Sequence, residues 1–358
     1  MPAKDFHNKS FDEGTLTKLQ IFELYAREWL PVFLSRERSP KSEVHLFDFF
    51  AGPGTDPAGA WGSPLRLLRQ LKDYQGLPGY SQVRVHAHFF DASRRVITQL
   101  EANIDSQHLR LQRVVLDVQA LQFEDALQHC AKTLADRQAA KLLFIDQFGV
   151  DHVTPEVFHQ LVSFPTCDFL FFLSSSTLYR FRGHPAIKQK ITRPDDYHHV
   201  HLAALDYYRG LLPDSSSYYL APFSIKKSPN IYGLIFGSAH PLGMDKFLQV
   251  AWKKDEINGE ADFDINRENI PSEQMLLPLE EFQPSKVRAF ERDLEQRLRA
   301  GRLRNERDVM RVCFDHGVKR QHAAPVLAEL KREKVIELDF RVPDVRCLDS
   351  PRPIRVKK

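Results

Sequence analysis

The chain has 358 residues, 42% hydrophobic and 27% charged, with 50 Lys/Arg against 47 Asp/Glu. That is the composition of a water-soluble globular protein with room for one large domain and a smaller module. No uncharged apolar run is long enough to span a membrane, and Met1-Pro2-Ala3-Lys4-Asp5 opens no signal peptide, so membrane and secreted classes are set aside and the cytoplasm is the expected compartment. Cys130, Cys167, Cys313 and Cys347 lie far apart with no CxxC pair, which argues against a disulfide framework or a zinc site.

Segment 1–43 reads as helical, because Leu16, Leu19, Phe22, Leu24, Trp29 and Leu30 recur at helical spacing. Val44 to Phe50 reads as a buried strand interrupted by Asp48, then a turn with Ala51, Gly52 and Gly54, then a helix from Ser63. Glycines here allow positive φ and close approach of a ligand to the backbone, and an acid just before them suits a cationic or hydroxylated ligand better than a pyrophosphate. The same residues also make an ordinary strand–turn–helix.

Strands and helices then alternate. Val83 to Phe90 is a strand ending at Asp91, with a helix over 93–104. Leu109 to Leu116 is a strand ending at Asp117, with a helix over 123–138. Lys141 to Ile145 is an apolar strand ending in Asp146-Gln147-Phe148-Gly149, and Pro155 opens the next helix. Cys167 to Leu173 has the continuous apolar character of a strand buried on both faces. A β-α-β-α order with acids at strand ends predicts a doubly wound parallel sheet. Residues 218–225 and 231–238 add a closing antiparallel pair, after a polar insertion over 177–212. That insertion carries His198, His199 and His201 with Arg180, Arg182, Lys188 and Lys190, which suits phosphate contact better than a metal. Ser174-Ser175-Ser176 lacks the Gly-x-Ser-x-Gly setting of a serine hydrolase.

The main domain is thus expected over 44–252 and a linker or lid over 253–284. Residues 285–358 hold 20 Lys/Arg against 12 Asp/Glu, whereas the rest holds 30 against 35. A basic module on a mildly acidic body points to an anionic partner. Helices over 307–314 and 322–332 and a strand over 334–338 follow the winged helix-turn-helix order, with Lys319, Arg320, Gln321, Lys331 and Arg332 as candidate nucleic-acid contacts.

Several stretches together carry a family resemblance: Lys4-Asp5-Phe6-His7, Thr15 through Tyr25 with Trp29, Phe47 to Gly54, Gly62-Ser63-Pro64, Phe144 to Gly149, and Ser174-Ser175-Ser176. Their order resembles the three-Cys-motif partner (TcmP) family over residues 4–250. That resemblance implies a Rossmann-like class I methyltransferase fold, S-adenosylmethionine as cofactor, and association with a radical-S-adenosylmethionine-like protein that bears the three cysteines. In that arrangement Asp48 lies near the methionyl end of the cofactor and the Ala51–Gly54 backbone lines its carboxylate and ribose. Asp91 accepts from ribose hydroxyls and Asp117 from the adenine amine. Asp146 and Phe148 are the candidates for chemistry, an acceptor for an exocyclic amine and a ring that stacks on a base. The family turn Asp-Pro-Phe-Gly reads Asp146-Gln147-Phe148-Gly149 here; a proline would stiffen this turn, and its absence puts a strict amino-methyltransferase-type site geometry in doubt. The expected function is methylation of nucleic acid, DNA being favoured, in modification, repair or defence. The alternative is a non-catalytic nucleic-acid-binding subunit that keeps the methyltransferase scaffold.

Overall fold

The structure is a computed structural model and describes residues 9–35, 41–75, 83–147, 152–174, 200–213, 216, 218–227, 230–263, 265, 285–346 and 350–357. The chain folds as two compact units, Met1–Ala239 and His240–Lys358.

The first unit opens with α1 (Glu13–Leu34), capped by the Asp12 carboxylate on the Thr15 amide at 2.8 Å. There follow β1 (Glu43–Asp48), α2 (Ser63–Gln75), β2 (Arg84–Asp91), α3 (Arg94–Ser106), β3 (Val114–Ala120), α4 (Phe123–His129), α5 (Ala131–Ala135), β4 (Ala139–Ile145), α6 (Pro155–Ser163), β5 (Cys167–Ser174), α7 (Val200–Leu211), β6 (Tyr219–Lys227) and β7 (Asn230–Ser238). One seven-stranded sheet has the order β3-β2-β1-β4-β5-β7-β6. β1 to β5 run parallel, and β7 is antiparallel to both β5 and β6. This is the doubly wound sheet with a closing antiparallel pair that the sequence predicts. The chain winds outward from β1 to β3, then crosses back to β4, so the topological switch lies between β1 and β4. Open α/β sheets bind ligands at the carboxyl ends of the strands at such a point.

Apolar faces explain the layers. On one side of the sheet Phe47, Phe49, Phe90, Leu143, Phe169 and Phe171 are buried with Phe123 of α4, Phe158 of α6 and Tyr208 of α7. In α1 the residues Lys18, Phe22, Tyr25 and Trp29 all lie on its buried face, and Phe22 stacks on Phe144 of β4 at 4.1 Å. Pro155 occupies the first turn of α6, with the Thr154 hydroxyl capping the Val157 amide.

The second unit contains α8 (Pro241–Lys254), α9 (Ser285–Arg299), α10 (Glu306–Asp315), a 3-10 turn (Arg320–His322), α11 (Ala323–Arg332), and the antiparallel pair β8 (Ile336–Glu337) and β9 (Arg355–Val356). Asn305 and Asp308 form a reciprocal capping box on α10. Three expectations need correction. The strand expected over 334–338 shrinks to two residues, Ile336–Glu337, and Lys334 before it takes a positive φ of 61°. Helix α8 groups with the second unit and not with the body expected to end at 252. The linker expected to start at 253 is at first well built: the Asp255 carboxylate accepts from the amides of Ile257, Asn258, Glu260 and Ala261.

Candidate functional site

Asp48 closes β1 at the switch point with no exposed surface. Its Oδ1 accepts from the Phe50 amide at 3.1 Å, whereas Oδ2 is buried without a hydrogen-bond partner among the described residues. Burial pushes its carboxyl up to about 7. The Ser63 hydroxyl and the Phe50 amide oppose that shift, and the charges of Asp146 and Asp91 add to it. A carboxylate held in this way is an acceptor in need of a cation.

The loop after Asp48 is built to leave room. Gly52 and Gly54 take φ of 62° and 87°. A Cβ at Gly54 would meet Leu100 Cδ1 at 2.9 Å, so α3 packs directly on the turn. Asp56 staples the loop, accepting from the amides of Phe11 at 2.7 Å, Ala58 at 2.9 Å and Ala60 at 2.8 Å. Burial works against its ionisation, but these amides hold its carboxyl below the ordinary value. Asp91 ends β2 as expected. Its Oδ1 accepts from Ser93 N at 2.9 Å and its Oδ2 from Gly52 N at 3.3 Å, while Ala51 N donates to the Phe90 carbonyl at 2.9 Å. Asp48, Ala51, Gly52, Gly54 and Asp91 therefore converge on one edge.

Asp117 does not join them. Strand β3 starts five residues later than expected and runs to Ala120, so Asp117 sits mid-strand opposite His88. Three residues lie between it and the end of the strand, about 10 Å at a rise of ~3.3 Å per residue. Its Oδ2 is bonded to His88 Nδ1 at 3.0 Å and its Oδ1 to Gln119 Nε2 at 2.5 Å. The His88 bond, outweighing burial, pulls its carboxyl down to about 2. An adenine-binding role for Asp117 is thereby overturned.

Asp146 follows β4 across the switch point from Asp48. Its Oδ1 is 2.5 Å from Lys18 Nζ, which also lies over the rings of Phe172 at 4.8 Å and Tyr232 at 5.5 Å. Lys18 is a site residue that sequence reading missed; its signal is a cation four residues before Phe22, inside the apolar stripe of α1. Gln147 accounts for the missing proline. Its Nε2 donates to the Phe172 carbonyl at 3.0 Å and its Oε1 accepts from the amides of His152 and Val153, so side-chain bonds give the rigidity that a ring would have given. Phe148 and Gly149 lie outside the described residues, as do Ser175, Ser176, Arg180, Arg182, Lys188, Lys190, His198 and His199. His201 is buried in α7 with its backbone against Gly233, which removes it from any exposed phosphate site.

In the second unit Arg320 is committed elsewhere. Its guanidinium grips the buried Asp245 carboxylate at 2.6 and 3.1 Å and also donates to the Pro343 carbonyl. It is a structural clamp, and a nucleic-acid contact for Arg320 is corrected accordingly. Lys319 Nζ lies 5.3 Å from the Trp252 ring, and Gln321 is exposed. Lys331 reaches the Leu338 carbonyl at 3.1 Å, and Arg332 pairs with Glu329 at 2.8 Å on an open surface.

No family model matches the sequence, and no curated protein does. Among solved structures the chain is similar to an rRNA methylase from Streptococcus thermophilus (12% identity, 64% of this chain and 98% of that one, TM-score 0.33). It is similar to the SAM-dependent methyltransferase from Agrobacterium tumefaciens (9% identity, 64% and 62%, TM-score 0.35). A third is M. jannaschii TYW2 in complex with AdoMet (11% identity, 64% and 77%, TM-score 0.31).

Proposed function

We propose that this protein binds S-adenosylmethionine at the carboxyl edge of β1, β2 and β4 and acts on nucleic acid, with DNA the favoured substrate. The observation that carries the reading is the buried Asp48 carboxylate, whose Oδ2 has no partner among the described residues and whose proton is held up to about 7. A ligand with sulfonium and ammonium charges would supply the missing cation. Asp91 keeps lone pairs for ribose hydroxyls beyond the two amides it accepts, and the Gly52–Gly54 turn lets the ligand reach the backbone. The cofactor, when bound, supplies an electrophilic methyl group. Lys18 occupies Oδ1 of Asp146 and leaves Oδ2 to orient an amine nucleophile. Catalysis of this kind rests on positioning. Lys319, Gln321, Lys331 and Arg332 would hold the nucleic-acid backbone in a winged-helix-like module. The order of sequence motifs supports kinship with the TcmP family, and so a three-Cys-motif radical-S-adenosylmethionine-like partner.

The Lys18–Asp146 pair favours a second reading, a non-catalytic scaffold in which that pair simply ties α1 to β4. Calorimetry with S-adenosylmethionine tests the binding step: Asp48→Ala and Asp91→Ala should each abolish the heat of a wild-type interaction. Wild-type protein that takes up no cofactor sinks the proposal. Binding without methyl transfer to DNA or RNA, in wild type and Lys18→Met alike, assigns the scaffold role.

A further inference from the structure

We propose that His45, His86 and His88 form a zinc-class divalent metal site between β1 and β2, distinct from the cofactor edge. The register places His45 opposite His86 and Phe47 opposite His88, so all three imidazoles rise from the same face of two adjacent strands. One ring nitrogen from each lies within 4.8 Å of the others. His45 Nδ1 and His88 Nε2 are already 3.0 Å apart. In a tetrahedral site with Zn–N bonds of ~2.0–2.1 Å, ligand nitrogens stand about 3.3–3.4 Å apart.

A chain of polar contacts orients the rings. The cluster forms a chain, Glu43 Oε2 to His45 Nε2 at 3.1 Å, His45 to His88 at 3.0 Å, and His88 Nδ1 to Asp117 Oδ2 at 3.0 Å. Each of these two imidazoles can donate one N–H to its carboxylate and turn its other nitrogen to the gap between the rings. A metal cation in the His45–His88 gap would accept both of those lone pairs. Asp117 then fixes His88 with Nε2 toward the metal, the carboxylate–histidine arrangement that orients metal ligands. Glu43, 4.0 Å from His86 Nε2, offers the fourth ligand or a hydrogen bond to one of the rings.

His86 supplies the third nitrogen. Its Nε2 is buried and has no hydrogen-bond partner among the described residues. The His45 and His86 rings lie nearly parallel, 11° apart with centroids at 4.4 Å. Loading therefore requires His86 to rotate about χ2, and that rotation breaks no hydrogen bond of Nε2. Neutral imidazole with a carboxylate suits Zn²⁺ and its Co²⁺ surrogate. The site would clamp the two strands that end, three residues further on, in Asp48 and Asp91.

The test uses the full chain after chelator treatment. Zn²⁺ should bind at one equivalent against a chromophoric competitor, and Co²⁺ should give the intense visible bands of a four-coordinate site. His86→Ala should keep the fold, as read by circular dichroism, weaken Zn²⁺ at least tenfold and abolish the cobalt bands. Wild-type protein with no such cobalt spectrum overturns the proposal without recourse to a variant. So does Zn²⁺ binding that is unchanged in His86→Ala.

Discussion

Replacing Asp48 by Asn isolates the free energy stored at the cofactor edge. The carboxyl is raised from an ordinary 3.8 to about 7 in the folded protein. A folded pKa above the unfolded one means that the native state binds the additional proton. The stability linked to Asp48 is therefore full below about pH 4 and is lost as pH rises through 7. A shift of about three units corresponds to about 4 kcal/mol of destabilisation once the group is ionised in both states. Asn keeps an oxygen for the Phe50 amide but places an amine where Oδ2 lacked a partner, at a cost of about 1–3 kcal/mol. The expected net effect is a gain of about 1–3 kcal/mol at pH 8.5 and no gain, or a small loss, at pH 5. Urea denaturation of both proteins at the two pH values measures the difference. A stability change that is the same at pH 5 and pH 8.5 would refute a proton-linked strain at Asp48.

The same linkage predicts that S-adenosylmethionine affinity rises with pH towards 7, by up to about tenfold per unit, with proton release visible as a buffer-dependent heat; affinity flat across that range would contradict the role given to Asp48. Gly54→Ala forces a side chain into φ 87° and against Leu100, and should cost about 1–3 kcal/mol by thermal unfolding. Arg320→Ala leaves Asp245 buried without its cation, so the second unit should lose about 3–5 kcal/mol, checked by hydrogen exchange in α8. Lys331→Ala with Arg332→Ala should instead leave stability nearly unchanged and make the salt dependence of DNA binding shallower.

Much of the body was readable in the chain because its elements carry local signals. The apolar runs at Val44, Lys141 and Cys167 gave strands, Pro155 gave a helix start, and the closing antiparallel pair followed from two strand-like stretches. The failures have two causes. β3 is poorly patterned, with Val115 exposed, so its start could slip by five residues and take Asp117 from the strand end to its middle. In α10 and α11 periodicity located the helices but could not reveal that Arg320 would be held by a carboxylate on α8.

By itself the sequence determined the alternation of strands and helices, the glycine turn after Asp48 and the basic surplus at the carboxyl end, since these depend on residues close in the chain. Only the tertiary structure decided which charges meet. Lys18 reaches Asp146 across 128 positions and His45 reaches His88 across 43. Such contacts are fixed by strand order and register, which periodicity does not encode. Pairing β1 with both β2 and β4 is what brings Asp48 beside Asp91 and Asp146, and what lines three imidazoles along one face.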